Sequence, residues 1–139
     1  MKFIPKLLML IGRISISSVF LISAFIKVID YAPTAELMAS KGMTNIPLYL
    51  YGAATIEAIG GLFLFFGCKA RLGAILLLVF MVPVTYIFHD FWILEGADRQ
   101  MQMILFSKNL AIFGGLLYIL SCGGGSCSVD AMLRRHQRK

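Results

Sequence analysis

The sequence predicts an all-α fold: one domain over residues 1–139, built as a bundle of four transmembrane helices with both termini inside the cell. Three observations predict it. Hydrophobic residues make up 59% of the 139-residue chain and charged residues only 14%, where soluble domains carry about 25% charged residues. Four apolar runs, at 7–29, 48–67, 70–89 and 101–121, each reach the ~20 residues a helix needs to cross ~30 Å of hydrocarbon. The flanking charges are uneven. With the N-terminus inside, Lys2, Lys6, Lys69, Arg71, Arg134, Arg135, Arg138 and Lys139 fall on the inner side, against Lys41 and Arg99 outside. Loops rich in Lys and Arg stay in the cytoplasm.

The same composition excludes a disordered chain, and three cysteines are too few for a disulfide scaffold. No period-2 alternation marks a membrane barrel. The net charge of +6 comes from residues at the ends of apolar runs, so it reports topology and not a nucleic-acid partner. The lipid bilayer is the partner that the composition requires.

The first run, 7–29, reads as an uncleaved helix, because Arg13 interrupts its core and it outruns a signal-peptide h-region. Arg13 and Lys27 share a stripe with Ser17 and Ala24, since fourteen steps return a helix face to within ~40°. Lys27 is expected to snorkel to the outer interface, and Arg13 to reach Glu57 or snorkel inward. Residues 30–47 form an outer connection with Pro33, Gly42 and Pro47, and one short helical turn is expected at 35–40.

The second run, 48–67, places Glu57 ~13 Å deep. Its helical neighbours Ala53, Ala54, Gly60 and Gly61 are small, so another helix approaches closely there and Glu57 faces the bundle. A carboxylate at that depth exchanges protons, touches a ligand or sits in an ion pair. Lys108, ~10 Å below the outer surface, is the expected partner. Cys68 and Lys69 make a tight turn. In the third run, 70–89, Pro83 frees the Val79 carbonyl and kinks the helix, and Thr85, Tyr86 and His89 form a polar mouth. His89 either relays protons or bonds headgroups or Asp90. The 90–100 connection holds Trp92 as an interfacial anchor.

The fourth run, 101–121, carries Lys108 and Asn109, which point about 100° apart. Its Ala111–Leu116 stretch echoes Ala58–Leu62 of the second run, the pattern of a weak parallel repeat. The tail, 122–139, is Gly-rich and then basic, and reads as a solvated end held near anionic headgroups.

Arg13, Lys27, Glu57, His89, Lys108 and Asn109 together make a candidate buried polar pocket that opens outward. Three cations against one carboxylate favour an anionic ligand or a carbonyl acceptor, unless Asp30 and Asp90 balance them from the outer edge. No metal is predicted. Cys122 and Cys127 have four residues between them, outside C-x-x-C spacing, and with His136 are the nearest approach to a ligand set. Neither is followed by His, so no haem-attachment motif is present, and the Gly123–Gly125 run lacks the Lys and Ser/Thr of a phosphate loop.

Several stretches resemble the DoxX family of small four-helix bacterial inner-membrane proteins. They are Gly12-Arg13, Phe25-Ile26-Lys27, Glu57 with Gly60-Gly61, Arg71, and His89-Asp90-Phe91-Trp92. The most specific is Phe106-Ser107-Lys108-Asn109-Leu110-Ala111 with Gly114-Gly115, and the closing Ser126-Cys127-Ser128-Val129-Asp130 is also similar. The resemblance implies the fold, a bacterial inner-membrane location and a link to oxidoreductases, with quinone as the candidate cofactor and an oxidoreductase subunit or a second copy as candidate partner. On that reading the chain is an accessory or quinone-linked subunit of a sulfur-redox or oxidative-stress system. Whether it is itself an enzyme stays open, and a small proton-coupled transporter and a scaffold for a soluble partner are the alternatives.

Overall fold

The computed structural model describes residues 3–137, so Lys2, Arg138 and Lys139 of the charge count lie outside the described residues. The elements run α1 (Phe3–Ile29), α2 (Tyr31–Ser40), α3 (Ile46–Phe66), α4 (Ala70–Phe88), a 3-10 turn at Phe91–Ile93, α5 (Gly96–Cys122) and α6 (Val129–His136), with no strand among the described residues. α1, α3, α4 with the 3-10 turn, and α5 are long and apolar enough to cross a membrane.

Helix ends depart from the apolar runs for local reasons. α1 begins before its run, with Pro5 in the first turn, where the missing N–H costs nothing. α2 is a ten-residue helix instead of one turn. It admits Pro33 at its start and ends before Gly42, whose φ of 74° suits only glycine well. α5 begins at Gly96, so polar residues through Gln100 extend the helix beyond the apolar run.

The bundle is a chain of neighbours. α1 packs on α3, α3 on α4 and α4 on α5, while α1 and α5 barely touch. An open seam therefore runs between α1 and α5. In hydrocarbon, close backbone approach holds helices together more than apolar burial does. A Cβ at Gly60 would stand 2.6 Å from Leu77 Cγ, and one at Gly61 2.8 Å from Leu21 Cδ2. Those glycines let α4 and α1 close on α3. Leu64, Ala74, Leu77 and Leu116 are fully buried at the centre.

The tail is not the solvated end that its glycines and charges suggest. Gly123 and Gly125, both at φ 76°, turn the chain back across the bundle. Ser128 then caps α6, its Oγ accepting from the Ala131 N–H. The Asp130 carboxylate accepts from Lys69 N–H at 2.8 Å and Ala70 N–H at 3.1 Å. The Asp130 N–H donates to the Gly67 carbonyl at 3.0 Å. The first N–H groups of α4 have no intrahelical acceptor, and the closing segment supplies one.

Candidate functional site

At the end of the bundle away from the termini, the α1–α5 seam widens into a cavity of about 430 Å3. α1 contributes Ser23 and Lys27, α2 contributes Thr34, and α3 contributes Glu57. His89 closes α4, and α5 contributes Lys108 and Asn109. Val19, Phe80 and Ile112 are among its apolar walls. Five of the six residues singled out from the sequence meet here; Arg13 does not.

Glu57, 5% exposed, pairs with Lys27 and not with Lys108. Lys27 Nζ lies 2.9 Å from Oε2 and 3.1 Å from Oε1, and Ser23 Oγ donates to Oε1 at 3.0 Å. The ammonium also donates to Ser23 Oγ at 2.5 Å. Two facts explain the outcome. α3 neighbours α1 and α4, so α5 lies across the diagonal. Side chains on a helix also lean toward its N-terminus. Lys27, near the C-terminal end of α1, therefore leans into the bundle instead of snorkelling outward, while Glu57 on α3 leans up to meet it.

Lys108 stands exposed at the cavity wall, with no ion pair among the described residues. Asn109 donates from Nδ2 to Thr85 Oγ1 at 3.0 Å, tying α5 to α4. His89 does not bond Asp90; its Nδ1 is 2.9 Å from Gln102 Oε1. With that oxygen as acceptor, Nδ1 carries the proton and Nε2 is left for a ligand. Gln102 escaped the sequence reading, although it sits on α5 near the height of His89.

Asp90 is held by Lys41, with Nζ–Oδ distances of 2.6 and 2.7 Å. That pair pins the chain after α2 to the end of α4. With Met38 buried and Thr34 on the cavity wall, α2 lies over the cavity mouth. Trp92 meets Tyr86 tilted at 5.3 Å and Phe91 and Phe106 edge-to-face at 5.3 and 6.4 Å. This aromatic group borders an apolar hollow that shares Met81 and Asn109 with the cavity.

Arg13 works at the other end. It is 4% exposed and donates to the carbonyls of Gly124, Cys127 (3.0 Å) and Phe65 (3.4 Å). It does not reach Glu57, because the closing segment and the end of α3 offer it carbonyls instead. Cys68, Cys122 and Cys127 are free thiols. Among the described residues no three His, Cys, Asp or Glu side chains come together to hold a metal.

Comparison of the sequence with known proteins finds relatives. A family model described as DoxX matches residues 8–90, and one described as the SURF4 family matches residues 51–136. The inner membrane protein YphA of Escherichia coli (strain K12) is 30% identical over 123 residues, 88% of either chain. The inner membrane protein YqjF of the same organism is 30% identical over 135 residues, 97% of this chain and 98% of the relative. A Surfeit locus protein 4 homolog of Schizosaccharomyces pombe (strain 972 / ATCC 24843) is 35% identical over 66 residues, 46% of this chain and 22% of that protein. No solved structure matches the chain.

Proposed function

The chain belongs to the DoxX family and is an integral inner-membrane protein, and on that premise we propose that it is the quinone-linked membrane subunit of an oxidoreductase system. The observation that supports this reading most is Lys108: an unpaired ammonium at membrane depth, on the wall of a mostly apolar cavity that opens sideways along the α1–α5 seam. A quinone headgroup is a flat apolar ring with two carbonyl acceptors that travels within the bilayer. The donor set fits such a ring, and the volume lies in the ~300–1,000 Å3 range of small-molecule sites.

A quinone held there would supply exchange of two electrons and two protons. This chain's residues bind and orient. Lys108 Nζ donates to one carbonyl oxygen. The second Asn109 N–H is available beside it, since only one is used on Thr85. His89 Nε2 accepts from a ring hydroxyl, or donates when protonated. The Lys27–Glu57 pair, bonded through Ser23, offers a carboxylate within the same cavity for proton exchange. No side chain here carries electrons, so a partner oxidoreductase delivers them.

Trp92 is the single tryptophan and borders the adjoining hollow. A short-chain ubiquinone analogue is therefore expected to quench its emission saturably in nanodiscs. Lys108→Met is expected to weaken that binding about ten- to a hundred-fold, the range of a charge-assisted hydrogen bond worth ~1.5–3 kcal/mol. Non-saturating quenching, or equal affinity in the variant, sinks the reading.

A further inference from the structure

The termini end of the α1–α5 seam holds a second hollow. It measures about 410 Å3, and Pro5, Leu8, Gly12 and Ile16 of α1 face Tyr118 and Ile119 of α5 across it. The wall is mostly apolar, with Arg13 as its charged member. Ile16 and Gly115 close the seam between this hollow and the outer cavity, for a Cβ at Gly115 would collide with Ile16.

The apolar slot runs directly into a polar one. A hollow of about 450 Å3 shares Met9 and Cys122 with it, and there Gly125 and Ser126 of the closing loop meet Arg134 and Arg135 of α6. Both arginines are exposed and neither is in an ion pair among the described residues. The nearby carboxylate, Asp130, is occupied by the N–H groups of α4. Arg13 lines the slot with its guanidinium buried, and its Nε is the one buried side-chain nitrogen without an acceptor among the described residues. The slot is thus open toward the bilayer, apolar along its length and strongly positive at its surface end.

We propose that this end of the seam is a binding site for one anionic phospholipid, with an acyl chain between α1 and α5 and the phosphate on Arg134 and Arg135. Charge complementarity selects the headgroup. Continuity of the two hollows selects a lipid over a free phosphate, which would fill the polar part alone. The folded closing segment gives the site its fixed form, because α6 is docked on α4 and presents both arginines beside the groove. The proposal uses neither Lys108 nor Glu57, so it stands apart from the quinone reading.

The test is native mass spectrometry of the full chain released from nanodiscs of mixed phosphatidylglycerol and phosphatidylcholine. The wild type is expected to retain phosphatidylglycerol preferentially. A basic residue near an anionic surface is worth about five-fold, so Arg134→Gln with Arg135→Gln lowers that preference about twenty-five-fold. Gly12→Leu tests the slot separately: a Cβ there meets nothing within 4 Å, so the added side chain starts in open space and is expected to occupy the groove. It is expected to lower total lipid retention. Excess inorganic phosphate is expected to leave the retained lipid in place. Equal retention of both lipids by the wild type, full retention in Gly12→Leu, or displacement by phosphate each overturns the proposal.

Discussion

At the scale of single residues, the Lys27–Glu57 pair carries the sharpest consequence. Both side chains are mostly withdrawn from solvent, at 17% and 7% exposure. Removing one partner of a buried pair leaves an uncompensated charge and costs about 3–5 kcal/mol, whereas replacing both with apolar residues is close to neutral. Lys27→Met alone is therefore expected to lower unfolding stability in lipid nanodiscs by that amount, and Lys27→Met with Glu57→Leu to recover most of it. Equal losses in the single and double variants would show that the pair does not bear on folding. Lys108 is expected to behave differently: it is exposed and unpaired, so its removal is felt in ligand binding and not in stability. The residues at this site were legible from the sequence because ionisable groups stand out in apolar runs. Their pairing was not. Depth counting put Glu57 and Lys108 at similar heights, but it carries no information on which helices are neighbours or which way a side chain leans.

At the scale of elements, the four crossings are written in the apolar runs, and the short elements are not. α2 and α6 are polar enough to pass for loop, and each forms because something outside it needs it. α2 is fixed through Met38 and through the Lys41–Asp90 bridge that follows it. α6 is fixed by Asp130, whose carboxylate takes two N–H groups at the start of α4. A side-chain acceptor for helix-end N–H groups is worth about 0.5–2 kcal/mol. Asp130→Ala is expected to cost that much and to speed amide exchange across residues 123–136, while α1 and α3 exchange as before. Unchanged exchange in that segment would mean that the tail is held by other contacts. The glycine pairs of the apparent repeat divide in part: Gly60 and Gly61 both sit in tight helix contacts, whereas in the second pair Gly115 does, against Ile16, and Gly114 faces open space. Similar strings on two helices thus serve different packing.

At the scale of the whole molecule, the order α1–α3–α4–α5 leaves one seam unclosed, and both candidate ligand sites lie in it. Only Leu116 and Ile119 of α5 are buried, against six residues of α3, so α5 lies along the open side of the bundle. A seam that opens sideways admits ligands from the bilayer more readily than from water, which suits a quinone at one end and a phospholipid at the other. This arrangement was hidden from the sequence, because each helix satisfies the length and hydropathy of a crossing whatever its neighbours. The quinone reading requires that the cavity at Lys108 receive its ligand from the membrane. The most direct measurement is photolabelling of the full chain in nanodiscs with an azido-ubiquinone, followed by peptide mapping. Labels are expected in α1 around residues 19–27 and in α5 around residues 108–112, reduced by excess unlabelled quinone and by Lys108→Met. Labels spread over the outward faces of α3 and α4, unaffected by competitor, would contradict it.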